Sequence, residues 1–178
     1  MPLLLQKDIK SEFKKIPLYS QYLDIRESEW KTKSCGVVSL SMLLAFWGKH
    51  ISPENLLKEG LFSGAYIPGI GWTHKGLAKL AIKQGLFGKN FDWFSKSPKQ
   101  AFKKLVFYLG KYPVIASIHK NFKLENEGHL ILLVEIKNNQ IFYFEPNSKT
   151  RKNILQVVSI DKFLSGWKRR IILVKPKM

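Results

Sequence analysis

The sequence predicts an α+β fold in which an N-terminal helical part packs on a C-terminal antiparallel sheet. Helix caps and helical apolar spacing run from Gly36 to Gly110. From Pro113 the apolar period becomes that of strands. Two of those strands flank Asn138-Asn139, a tight-turn pair that makes them antiparallel neighbours.

Residues 8–30 read as a polar leading segment holding Phe13, Tyr19, Tyr22 and Trp30. From Gly36 to about Trp47 apolar residues lie nearly all round, which marks a buried helix stopped by Gly48. Ser52-Pro53-Glu54 supplies an N-cap, a first-position proline and an early acid, so a short helix should run to Gly60. Residues 61–72, with Tyr66, Pro68, Gly69, Gly71 and Trp72, read as loop. Thr73 caps a helix whose Leu77, Leu80 and Ala81 share a face and which ends at Gly85. Ser97-Pro98 opens a fourth helix, with Ala101, Phe102, Leu105, Val106 and Leu109 inward and Gly110 as its stop.

Pro113–His119 reads as a strand, and His129–Ile136 as another, too apolar to leave one face to water. Gln140–Glu145 returns from the Asn138-Asn139 turn as its hairpin partner. Leu155–Val158 reads as a short strand, Asp161–Ser165 as one helical turn, and Arg170–Lys175 as the strand that closes the sheet. No repeat, low-complexity tract or linker divides the chain, so residues 1–178 are expected to form one domain.

An apolar fraction of 45% with 13% aromatics excludes disorder. No apolar run approaches the ~20 residues that span a bilayer. Met1–Asp8 is too short in its apolar part for a secretory signal and has no basic leader. These features lead us to expect a cytoplasmic protein, with secretion of a trimmed chain as the alternative. The single cysteine excludes an intramolecular disulfide and a multi-cysteine metal site, and no cofactor is expected. The net charge of +17 could draw nucleic acid, anionic lipid or acidic peptide. Its lysines are spread along the chain, so a solvated surface is the simpler reading.

Cys35, the sole cysteine, stands where the first helix should begin. There the unpaired backbone N–H groups and the positive dipole end favour thiolate over thiol, and Lys31 and Lys33 add positive potential. Four histidines compete as its base. His50 lies in a polar turn, His74 at a helix start where a protonated ring is unfavourable, and His119 at a strand end next to Lys120. His129 is preferred, because Gly128 leaves room beside it and it begins a rigid strand. The hairpin return brings Glu145 or Asn147 opposite that strand's start, where either side chain could accept from the imidazole and fix its tautomer. Glu145 is favoured, with Asn147 as its rival.

Gln21 is the candidate side-chain donor to an oxyanion, beside the Cys35 backbone N–H. Trp72, His74 and His119 are candidate cleft residues. A metal set of His119, His129 and Glu145 lacks helical i, i+4 spacing. Gly64, Gly69 and Gly71 lack the Lys-Ser/Thr helix start of a phosphate loop.

Ile16-Pro-Leu-Tyr-Ser-Gln-Tyr22, Trp30, Ser34-Cys-Gly-Val-Val-Ser-Leu40 and Phe46-Trp-Gly48 stand in one recognisable order. Trp72-Thr-His-Lys-Gly-Leu77, Tyr112-Pro-Val-Ile115, Gly128-His129 and Glu145-Pro146 continue it. Over about residues 15–175 the chain resembles the peptidase-like domain of bacteriocin-processing (double-glycine leader) cysteine peptidases, most closely the stand-alone bacterial type. The resemblance implies a papain-like fold and hydrolysis of peptide, or isopeptide, bonds through a thioester acyl-enzyme. It makes Cys35 the nucleophile, His129 the base, Glu145 the orienting acid and Gln21 the oxyanion donor. Glu145 stands where the family usually has Asp, and Val37-Val38 where it often has proline and a small residue. The altered acid leaves room for a second reading, a papain-fold module that binds peptides without cutting them. Nucleic-acid binding is the third.

Overall fold

The computed structural model describes residues 8–178. The reading of Met1–Asp8 therefore falls almost wholly outside the described residues. The chain is an α+β fold built on a six-stranded antiparallel sheet with helices on both faces.

Helix α1 (Cys35–Phe46) buries every residue from Gly36 to Phe46, as its all-round apolar sequence requires. Ser52 caps α2 (Pro53–Phe62), its side chain accepting from the Asn55 N–H at 3.2 Å. This helix runs past its expected stop, because Gly60 is buried beneath the Trp72 ring and does not terminate it. The expected 61–72 loop contains a small hairpin, β1 (Tyr66–Ile67) against β2 (Gly71–Trp72). Thr73 then caps α3 (His74–Lys83) as expected.

Strand β3 (Phe87–Asp92) was not legible. It is rich in poor strand formers and largely exposed, and its structure comes from pairing along the whole open edge of a later strand. Helix α4 (Pro98–Leu109) opens on a full capping box between Ser97 and Gln100. Its buried face is Ala101, Leu105 and Leu109; Phe102 is half-buried, and Val106, expected inward, is exposed. The sheet continues with β4 (Val114–His119), β5 (Gly128–Lys137), β6 (Gln140–Phe144) and β7 (Leu155–Ser159). A longer helix than expected, α5 (Ile160–Gly166), leads into β8 (Trp167–Lys175).

The strand order is β3-β8-β4-β5-β6-β7. Strand β8, read as the one that closes the sheet, thus lies inside it, with β3 and β7 at the edges. Alternation along β5 explains its continuous apolarity. Leu130, Leu132 and Val134 join the core shared with α1, α2 and α3, while Ile131 and Leu133 join the core under α4 and α5. Asn138 and Asn139 both take left-handed conformations, with φ of 51° and 58°, which suits a two-residue turn between antiparallel strands. No helix among the described residues is long and apolar enough to cross a membrane.

Candidate active site

A cleft of about 960 Å³ runs across one end of the sheet, between the sheet and the N-terminus of α1. Sheet order fixes its layout. Gln21 and Asn147 lie at the β6 end, His129 and Leu130 in the middle, and Asp92, Lys168 and Arg170 at the β3–β8 end. Cys35, half-buried, faces the cleft from α1, and Tyr66, Trp72 and His74 overhang it.

Cys35 owes its position to close packing behind it. A Cβ on Gly36 would lie 2.9 Å from Trp72 Cβ and 3.0 Å from Leu77 Cδ1, so only glycine lets the helix start approach this wall. Trp72 is fixed in turn by its indole N–H, which donates to the Lys33 carbonyl at 2.7 Å. Ser34 does not cap α1 with its side chain, because its hydroxyl donates to the Trp30 carbonyl. The first N–H groups of the helix are therefore left without a side-chain acceptor beside the sulfur.

His129 is buried at the start of β5, and its Nε2–H donates to Glu145 Oε1 at 2.6 Å. The methylene that distinguishes Glu from Asp does not prevent this contact. The same carboxylate oxygen accepts the Asn147 backbone N–H at 2.8 Å. Burial opposes a charge on the ring, but the Glu145 carboxylate and hydrogen bonds to Cys35 and Glu145 outweigh it and raise the imidazole to about 10. Glu145 occupies Nε2, so Nδ1 is the ring nitrogen left for the Cys35 sulfur, which lines the same cleft.

Gln21 lines the same cleft as Cys35 and is held there by the turn after β6. Its backbone N–H donates to the Pro146 carbonyl at 2.8 Å and its Nε2 to Asn147 Oδ1 at 3.0 Å. Ser20 Oγ donates to the Ser148 carbonyl, and Arg151 binds Asp24 and the Leu18 carbonyl, so the whole segment is pinned there. Gln21 is fully buried, and among the described residues its Oε1 has no hydrogen-bond partner. Asn147 therefore contacts Gln21 through its side chain and Glu145 through its backbone, while Glu145 is the group that meets the ring.

His74 lines the cleft; burial, then the charges of Arg170 and Lys168, push its imidazole below its ordinary value. His119 is not among the residues that line the cleft; its Nδ1 lies against the Asn126 carbonyl at 3.1 Å. Among the described residues no three His, Cys, Asp or Glu side chains gather closely enough to hold a metal ion.

Sequence reasoning missed Asn90, Asp92, Ser117, Lys168 and Arg170 in the cleft wall. No local pattern marks them, since they meet only through the pairing of β3 and β4 with β8.

A profile of the peptidase C39 family matches residues 27–178. The chain belongs to the peptidase C39 family. It is a cysteine peptidase, a hydrolase, and its fold matches the papain-like fold of solved family members. The peptidase domain of Streptococcus ComA, a bifunctional ABC transporter involved in quorum sensing, aligns with a TM-score of 0.61 at 21% identity, over 82% of this chain and 93% of that one. A C39-like peptidase from Bacillus anthracis aligns with a TM-score of 0.62 at 15% identity, over 91% and 95%. A double-glycine-motif protease from an AMS/PCAT transporter, solved with its leader peptide, aligns with a TM-score of 0.57 at 20% identity, over 81% and 85%. Comparison with curated proteins gives no match.

Proposed function

We propose that this C39 peptidase hydrolyses peptide bonds through Cys35, His129 and Glu145. The observation that carries the reading is the buried His129–Glu145 pair of 2.6 Å facing Cys35 across the cleft. The Cys35 thiolate attacks the scissile carbonyl carbon and forms a C–S bond. The uncapped N–H groups at the start of α1, with Gln21 Nε2 as the side-chain donor, hold the resulting oxyanion. The His129 imidazolium then gives its proton to the leaving amine as the C–N bond breaks. Water, deprotonated by the now neutral His129, resolves the thioester and returns the thiol. Glu145 keeps the ring oriented and stabilises its charged form.

The substrate is a peptide or an unstructured protein segment that can enter the cleft; one structural neighbour was solved in complex with a leader peptide. The same chemistry would serve an isopeptide carbonyl. A family match, a paired imidazole and a cleft that meets the sulfur favour this reading over a non-cutting peptide binder and over nucleic-acid binding.

The test is labelling by hexapeptides with a vinylogous glycine at the centre, an electrophile flanked by residues on both sides. One adduct is expected, mapped by mass spectrometry to Cys35, with its rate lost in His129→Ala. Modification that proceeds equally well without His129 would overturn the proposal.

A further inference from the structure

The β8 end of the cleft has no part in the proposed acyl transfer, yet it is built with an irregularity. Strand β8 pairs with β4 in regular register from Val114↔Leu173 to Ser117↔Arg170, and the next pair is Ile118↔Trp167. Lys168 and Arg169 are therefore in excess on β8, and Arg169 takes a left-handed conformation with φ of 57°. A bulge of this kind re-aims side chains. Arg169 is sent away from the cleft, its Nη1 donating to the Lys96 carbonyl at 2.8 Å and its guanidinium over the Phe94 ring at 4.7 Å. Lys168 is sent into the cleft.

Its ammonium settles beside the residue that precedes His129: a Cβ built on Gly128 would lie 3.0 Å from Lys168 Nζ. Glycine at position 128 therefore makes room for a cation as well as for the histidine. Two neighbouring cations of the cleft are already satisfied, Arg170 by Asp92 at 2.8 Å and Lys120 by Glu127 at 2.9 Å. Lys168 is half-buried, and among the described residues it has neither a carboxylate within ion-pair reach nor a hydrogen-bond acceptor. Burial, then the Arg170 charge, hold its amine below the usual lysine range. An ammonium so placed gains from an anion delivered by a ligand.

We propose that Lys168 is a specificity-determining residue that selects peptides with an acidic side chain, whose carboxylate it binds at the β8 end of the cleft. The inference rests on the peptidase reading above and narrows a general lysine excess to one position. Arg170 lies alongside, already paired with Asp92.

The test uses the full chain and the same vinylogous-glycine hexapeptides, with Glu, Gln or Lys scanned through each flanking position, and reads the rate of Cys35 labelling. At one position Glu should exceed Gln about tenfold or more, with Lys slowest. Lys168→Met should bring the Glu-to-Gln ratio close to one. Lys168→Glu should reverse the order, so that the Lys peptide labels faster than the Glu peptide, a gain that misfolding cannot produce. A ratio unchanged in Lys168→Met, or no position sensitive to charge while labelling still needs His129, overturns the role of Lys168 alone. Failure of every peptide to label Cys35 in a His129-dependent way overturns the peptidase reading, and this inference with it.

Discussion

Replacing Glu145 by Gln keeps an oxygen for the Asn147 N–H and a partner for His129 but removes one negative charge from a buried pair. The side chains of His129 and Glu145 are only 5% and 15% exposed, so solvent screens the loss poorly. Breaking a buried charged pair costs about 3–5 kcal/mol. The displacement of the imidazole from 6.5 to about 10 gives a figure of the same order, at about 1.4 kcal/mol per pH unit. The sign follows from proton counting. Between pH 6.5 and about 10 the folded protein holds a proton on His129 that the unfolded chain has released. Stability from this pair is thus complete below 6.5 and is lost as pH rises through about 10. Urea denaturation of both proteins across that range should show the wild type ahead by several kcal/mol at neutral pH, with the gap closing toward alkaline pH. The His129 ring resonance of Glu145→Gln should titrate well below that of the wild type. A gap that stays constant across the range, or an unmoved titration, would refute the argument.

Asn147→Ala removes the anchor of Gln21 Nε2 and leaves the Asn147 N–H on Glu145. We expect kcat on a quenched-fluorescent peptide to fall while KM and the His129 titration hold, with a stability loss of about 1 kcal/mol. Gln21→Ala should lower kcat by about 10²–10³ if its amide serves the oxyanion; a change confined to KM would count against that role. Gly36→Ala places a Cβ 2.9 Å from Trp72 Cβ. Overpacking of about 1–3 kcal/mol should outweigh the better helix propensity, and calorimetry should record a lower Tm together with slower labelling of Cys35.

Much of the site was legible because its signals are local. Cys35 sits at a change from polar to all-apolar sequence, and the Asn138-Asn139 turn fixes which strand returns beside His129. The hairpin's exact partner was harder to read. A bulge near Val134 shifts the register by one residue, and Glu145 turns its own N–H toward the Ile154 carbonyl at 2.7 Å, so strand alternation alone does not decide between positions 145 and 147. The far wall was illegible for a related reason. Strand β3 is rich in poor strand formers and exists because β8 offers it an edge, and Lys168 reaches the cleft only through a bulge that no periodicity announces. His119, attractive by its place at a strand end, turns to the loop carbonyl that satisfies it.

The central claim is that His129 activates Cys35 toward a peptide carbonyl, and an acyl-trapping measurement tests it most directly. The full chain would be mixed with a peptide 4-nitrophenyl ester, quenched in acid within the first turnover and weighed intact. One acyl group per molecule, located on Cys35, is expected, and it should disappear in His129→Ala. Acylation of another residue, or of Cys35 at an undiminished rate without His129, would contradict the claim.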